Sequence, residues 1–274
     1  MTVETSDVIG RVLAASGVWE PHVTAAFRGL LSPGDVCVDA GAHIGYFTLL
    51  ASKLVGPLGC VYALEPEPVT FEALCANLEL NAARNVLPLR VAAGSQDGQE
   101  LLYPAPAGNS GSAALARRWG AFDPESEASK PRMVVVRSIS TIVDPAELPR
   151  LRLVKIDVEG FELEVLRDLA GIFAAGYRPA LLVEVHGDVA RAVGNWSSEV
   201  RRQHGLLTYR LVAPASSNRS VPASIPAQPM SDSQLRALGD EFFYLLVSPI
   251  PLDDIELGAT LEGACFPAPR MPPS

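Results

Sequence analysis

Apolar residues in this chain follow two alternating rhythms. Short, nearly unbroken apolar runs occur at 36–40 ("VCVDA"), 60–66 ("CVYALEP") and 179–187 ("PALLVEVHG"). Between them lie longer stretches whose apolar positions recur every three or four residues, as in "YFTLLASKLV" (46–55) and "FELEVLRDLAGIFAAG" (161–176). The first kind reads as strands buried on both faces, the second as helices with one face in a core. The same two rhythms predict helices over 68–82 and 189–205, and strands over 86–93, 151–160, 208–212 and 241–249. Pro88 in "VLPLRVAA" places that strand at a sheet edge, because proline has no N–H to give to a second neighbour. Repeated strand–helix alternation predicts an α/β fold with a mostly parallel sheet covered on both faces.

The rhythm breaks in four places. Residues 1–35 form a helical lead-in, with helix-spaced apolar positions over 7–31 interrupted near Gly17 and Pro21. The main domain spans 36–250. Inside it, residues 95–132 are rich in Gly, Ser, Ala and Pro and read as a loop-and-hairpin insertion returning on "MVVVRSI" (133–139). A long insertion of this kind in an α/β domain is often functional. Residues 213–231 read as a Pro/Ser-rich loop and 251–274 as an irregular tail.

Composition narrows the function classes. Of 274 residues 48% are hydrophobic, enough to bury a sizeable core. The net charge of -9 argues against broad capture of nucleic acid, which needs clustered Lys and Arg. Cys37, Cys60, Cys75 and Cys265 lack zinc-like spacing and read as reduced thiols. "MTVETSDVIG" lacks the basic start and apolar core of a signal peptide, and no apolar run reaches the ~20 residues of a membrane span. The expectation is a soluble cytoplasmic protein of undetermined oligomeric state.

Candidate chemistry begins at "VDAGAHIG", between the first strand and its helix. Glycines there let backbone approach a ligand, and the helix start offers free N–H groups. The pattern is Asp39-x-Gly41-x-x-x-Gly45, neither G-x-G-x-x-G nor a P-loop. A carboxylate in the turn opposes a pyrophosphate and suits a cofactor with cationic groups, as S-adenosylmethionine has. Glu65 ends the second strand at the distance where such folds place a ribose-reading acid. The plain alternatives are a tight packing turn for Gly41 and Gly45, and a solvated strand end for Glu65.

Several segments carry a resemblance. "VDAGAHIGYFTLLAS", "ALEPEPVTFEALCANLELN", "NVLPLRVAAGSQDG", "NSGSAAL" and "LVKIDVEGFELEVLRDL" resemble the FkbM family of S-adenosylmethionine-dependent methyltransferases, over about residues 19–187. The resemblance implies a Rossmann-like class I methyltransferase fold with seven strands in the order 3-2-1-4-5-7-6, strand seven antiparallel. It implies O-methylation of a small-molecule or glycoside hydroxyl, in natural-product or glycolipid biosynthesis. Carried over by motif, Asp39, Gly41, Gly45 and Glu65 contact the cofactor, with His43 and Tyr46 beside them. Ala92, Ala93 and Ser95 lie where the adenine edge is met. Asp97 is a weaker candidate there, and Asn109 in "NSG" faces the pocket. Many members carry Asn where this chain has His43, which leaves that residue's role open.

A second constellation ends two later strands. "KIDVEG" supplies Lys155, Asp157 and Glu159, and "VEVHG" supplies Glu184 and His186. Strand alternation puts each set on one side, at the sheet edge where open α/β sheets bind ligands. Glu159 also reads as a plain helix cap. Lys155 either pairs with this cluster or neutralises it. Two mechanisms use these groups. A carboxylate or His186 removes the hydroxyl proton, and imidazole is the better matched base. Alternatively Asp157, Glu184 and His186 hold a divalent cation that lowers the hydroxyl pKa, the less favoured arrangement. N-methylation, a non-catalytic S-adenosylmethionine-binding module and an NAD-dependent oxidoreductase are the competing readings. The missing third glycine weighs against the last.

Overall fold

The computed structural model describes residues 1–104, 113, 115, 130–213, 220–239 and 242–252. Asn109, Cys265, most of the 95–132 insertion and most of the tail lie outside the described residues.

Two helices precede the sheet, α1 (Val8–Ser16) and α2 (Pro21–Leu30). The Asp7 carboxylate accepts from the N–H groups of Ile9 and Gly10 to start α1, and Gly17 ends it at φ +70. Then come β1 (Val36–Ala40), α3 (Tyr46–Val55), β2 (Cys60–Leu64), α4 (Pro68–Leu80) and β3 (Val86–Leu89). A side excursion follows, with β4 (Ala92–Ala93), β5 (Gly98–Leu102) and β6 (Arg132–Arg137). Helix α5 (Ile139–Ile142) leads to β7 (Leu151–Ile156), α6 (Glu162–Ala174), β8 (Ala180–Val185) and α7 (Ala190–His204). The chain continues through β9 (Leu207–Leu211), β10 (Ala227–Pro229), α8 (Asp232–Arg236) and β11 (Phe243–Ser248).

The main sheet runs β3-β2-β1-β7-β8-β11-β9-β10. Its first seven strands reproduce the expected order 3-2-1-4-5-7-6, with β11 antiparallel to both β8 and β9. The eighth strand, β10, is a correction: it adds an antiparallel edge from within 213–231, which the sequence reads as loop. A second correction concerns 86–93. The chain turns at Arg90, where the Val91 N–H donates back to the Leu89 carbonyl at 2.9 Å. Ala92 and Ala93 therefore leave β2 and pair with β6 in a separate three-stranded sheet, β4-β6-β5. In it β5 and β6 pair antiparallel and β4 lies parallel beside β6.

Alternation along the strands divides the core into two halves. Val36, Val38, Ala40, Val154 and Ile156 pack with α6 and α7 residues such as Leu166, Phe173 and Val193. Cys37, Val61, Ala63 and Leu153 pack on the other face with Phe27, Phe47, Leu50 and Leu74 from α2, α3 and α4. Asp39 and Lys155 share the parity of Cys37 and Leu153, so the strand period turns both into this second half. They are register partners on adjacent strands. The strand order reverses between β1 and β7, and both lead into the site there.

Candidate active site

Past β1 the backbone turns at Gly41, whose φ of +80 disfavours any L side chain. A Cβ there would lie 1.8 Å from the Asp157 carbonyl oxygen, so only glycine lets the β1 and β7 ends approach this closely. His43 follows at φ +49, and its N–H donates to Glu65 Oε2 at 3.0 Å. The Glu67 N–H donates to Glu65 Oε1 at 2.9 Å. Burial pushes the Glu65 carboxyl up to about 7, with the two backbone donors pulling the other way. Burial also pulls the His43 imidazole below its ordinary value, which favours a neutral ring. Gly41, His43, Tyr46, Glu65, Ala92 and Ala93 all line one cavity of about 690 Å³. Bare backbone at Gly41 and a carboxyl held at the β2 end fit a nucleoside cofactor with ribose hydroxyls to donate.

Five expectations are revised here. Asp39 is fully buried and does not line the cavity. Its Oδ2 accepts from Thr48 Oγ1 at 2.6 Å and its Oδ1 lies 3.4 Å from Lys155 Nζ. The strand period turns Asp39 into the core, so it acts on the site through Lys155. Gly45 stands behind the turn at the start of α3, where a Cβ would meet Leu74 Cδ1 at 2.7 Å. The Ser95 hydroxyl donates to Glu164 at 2.8 Å, away from the cavity. Asp97 is taken up by the Ser138 N–H, Thr141 and Arg137. The cation set Asp157, Glu184 and His186 is the fifth revision, for reasons given below.

Lys155 is 1% exposed and sits between the two halves of the site. Its ammonium lies 3.1 Å from Asp157 Oδ2, donates to the Gly41 carbonyl at 3.1 Å and stands 5.5 Å over the Phe47 ring. Burial alone would lower its pKa, but Asp157 and Asp39 carry it above the ordinary lysine value. Asp157 also accepts from the Tyr244 hydroxyl at 2.9 Å. Burial opposes ionisation of Asp157, and Lys155 and Tyr244 overcome it, holding the carboxyl below its usual range. Tyr244 reaches this position because β11 pairs antiparallel with β8, setting Tyr244 opposite Glu184.

The far side of the cavity is rich in acids. Glu159 leaves β7 on a left-handed backbone, φ +52, with Gly160 following at +103. Glu162 Oε1 secures this turn by accepting from the Gly160 and Val158 N–H groups at 2.8 and 3.4 Å. Glu184 is 5% exposed, and its Oε2 has no hydrogen-bond donor among the described residues. His186 Nε2 stands 3.6 Å from Glu184 Oε2 and 3.8 Å from Glu162 Oε1. Its ring lies nearly parallel to Phe242, centroids 6.5 Å apart. Burial raises the Glu184 pKa well above its ordinary value, and Asp157, Glu159, Glu20 and Glu162 add to it. One ligand atom from each of Glu159, Glu184 and His186 lies within 4.8 Å of the others. Asp157 is instead engaged by Lys155 and Tyr244, so Glu159 takes its place in any cation set.

The sequence reading missed Glu20, Trp19, Phe242 and Tyr244, all of which line the cavity. Glu20 precedes α2 at φ +40, with a buried Oε2 lacking a hydrogen-bond donor among the described residues. Burial, then the Asp157 charge, pushes its carboxyl up to about 8. An acid immediately before a helix-starting proline, and a single tyrosine in the apolar run "FFYLLV", are the sequence signals that mark two of these residues.

Residues 39–204 match the model of the methyltransferase FkbM domain. A hexuronic acid methyltransferase, AglP of Haloferax volcanii, is 29% identical over 190 residues, 69% of this chain and 70% of that protein. The 31-O-demethyl-FK506 methyltransferase FkbM of Streptomyces tacrolimicus is 55% identical over 47 residues, 17% of this chain and 18% of that one. Among solved structures, a precorrin-6y C5,15-methyltransferase from Geobacter metallireducens aligns over 90% of this chain and 91% of its own, with TM-score 0.45 and 16% identity. No helix among the described residues is long and apolar enough to cross a membrane.

Proposed function

The chain belongs to the FkbM methyltransferase family and is an S-adenosylmethionine-dependent methyltransferase, and we propose that it methylates a hydroxyl of a small molecule or sugar derivative. The observation that carries this reading is the position of one imidazole and several carboxylates across a single cavity from the ribose-reading corner. Bound S-adenosylmethionine supplies an electrophilic methyl group and leaves as S-adenosylhomocysteine. The chain's own part is to hold and orient. Gly41, His43, Glu65, Ala92 and Ala93 hold the nucleoside end, and Lys155 keeps Asp157 ionised beside the reacting region. Glu159, Glu184 and His186 face the acceptor's hydroxyl, whose proton leaves into this group, while Trp19 and Phe242 flank it. Much of the acceleration comes from positioning the oxygen in line with the methyl group.

The sugar-acid substrate in the name of the Haloferax relative supports a polyhydroxylated acceptor. A second reading draws on the same acids: a wall of carboxylates attracts an ammonium, and an amine acceptor would give N-methylation. Product analysis separates the two. Purified enzyme with isotopically labelled methyl donor is offered hydroxylated glycosides, uronic acids and amino sugars, and the products are read by mass spectrometry and NMR. An O–CH₃ product is expected, and exclusive N–CH₃ formation refutes the proposal. His186→Ala should lower turnover by about 10²–10⁴-fold, and a near-normal rate would remove His186 from the mechanism.

A further inference from the structure

We propose that Glu159, Glu184 and His186 form a divalent-cation site whose open coordination positions receive two adjacent oxygens of the acceptor. The geometry comes first. Hard cations bind oxygen at about 2.0–2.6 Å, so ligand atoms around one ion stand within roughly 5 Å of one another. The three ligand atoms here lie within 4.8 Å, and their side chains come from two neighbouring strand ends that open into the cavity.

Glu184 supplies an independent observation. It is more than nine-tenths buried, it lines the cavity, and its Oε2 has no hydrogen-bond donor among the described residues. A buried carboxylate oxygen in that condition is costly unless a positive charge meets it. Among the described residues the basic group beside it is His186, whose Nε2 lies 3.6 Å away and belongs to the same set. Lys155 is the one lysine or arginine among the described residues lining the cavity, and it is committed to Asp157, Asp39 and the Gly41 carbonyl. Glu162 adds another buried oxygen without a donor among the described residues, Oε2, on the side chain that secures the 157–160 turn. That turn holds Glu159 at the cavity in a left-handed conformation that few non-glycine residues adopt.

Two carboxylates and one imidazole suit magnesium, manganese or ferrous ion better than a softer metal. Three protein ligands leave places for substrate oxygens, such as vicinal hydroxyls or a hydroxyl beside a carboxylate. A cation here would also turn an acid-lined wall, which repels an anionic sugar, into one that binds it. The acceptor part rests on the proposed hydroxyl methylation, while the cation site itself does not.

The experiment titrates Mn²⁺ into the full chain, read by electron paramagnetic resonance, alongside calorimetric binding of S-adenosylhomocysteine as a check that each variant is folded. One Mn²⁺ per chain is expected, with Glu184→Gln and His186→Ala each weakening it more than about tenfold while S-adenosylhomocysteine binding persists. Glu65→Gln should do the reverse. Absence of Mn²⁺ binding at millimolar metal, or binding unchanged in both cluster variants, overturns the site. Full O-methylation after exhaustive chelation overturns the acceptor role and leaves hydroxyl methylation standing. Mn²⁺ lost from the cluster variants, together with an exclusively N-methylated product, supports the cation site and refutes the hydroxyl reading.

Discussion

At the ends of β1 and β2 the cavity's polar groups are paired before a ligand arrives. Both Glu65 oxygens accept backbone N–H groups, and the Gly41 and Ala42 N–H groups donate to the Leu64 carbonyl. At the ends of β7 and β8 the opposite holds. Glu159, Glu162 and Glu184 crowd near His186 and the Glu20 charge acts on Glu184, and a buried oxygen on each of Glu20, Glu162 and Glu184 has no donor among the described residues. One wall is preorganised by backbone, and the other is left charge-frustrated at a cost to stability. Such local cost persists at functional sites because the surrounding structure over-determines it. Here the over-determination is visible: β8 is buried along its length and β7 everywhere but Arg152, and Glu162 clamps the turn between β7 and α6.

Lys155 joins the two walls, so removing it gives the largest expected effect. Lys155→Met leaves Asp39 and Asp157 buried without their shared cation. Breaking a buried pair in this way costs about 3–5 kcal/mol. Denaturant unfolding at pH 7 checks it, and a loss under about 1 kcal/mol would break the comparison, because the walls would then be independent of this side chain. The carboxylates can protonate in response, so the deficit should shrink in acid.

The second prediction concerns the preorganised wall alone. Gly41→Ala forces a Cβ against the Asp157 carbonyl, at a backbone angle that costs an L-residue about 1–2 kcal/mol before any overlap. The β1 and β7 ends must separate, and S-adenosylhomocysteine affinity should fall by about ten- to a hundredfold. Mn²⁺ binding at the other wall should fall less. Equal losses at both ligands would mean that the two walls move as one unit.

What was legible in the sequence follows the same division. The paired wall, proposed to hold the cofactor, draws on a contiguous stretch, Gly41 to Tyr46, plus one strand end, so local spacing picks out residues that line the cavity there. Asp39 still misled, because the sequence shows an acid beside glycines without showing which face of β1 it takes. Parity with Cys37 puts it in the core, where Lys155 meets it across the β1–β7 register. The acid-rich wall was half legible: the strand ends "DVE" and "EVH" announce Glu159, Glu184 and His186. Glu20 and Tyr244 stay hidden because they reach the cavity from the start of α2 and from β11, 137 to 166 residues before those motifs and 58 to 87 residues after them. Only tertiary packing brings them in. The strands were readable from alternation and their order only from the family resemblance, whereas the break between β3 and β4 was not legible, since it depends on a one-residue turn inside an apolar run.

The smallest effect tests how complete the preorganisation of the first wall is. With its carboxyl pushed up to about 7 from an ordinary 4.5, Glu65 is close to half protonated at pH 7 in the free enzyme. Because the folded pKa is the higher one, its contribution to stability is fully present below about 4.5 and is lost as pH rises through about 7. Ribose hydroxyls donate to the ionised carboxylate and stabilise that form, so cofactor binding should pull the pKa down. Binding of S-adenosylhomocysteine at pH 7 should then release up to about half a proton, falling towards zero at pH 9. Calorimetry in buffers of different ionisation enthalpy reads this directly, and Glu65→Gln should abolish it. Proton uptake in place of release would mean that Glu65 meets the ligand as the neutral acid, and that the paired wall still rearranges its hydrogen bonds when the cofactor enters.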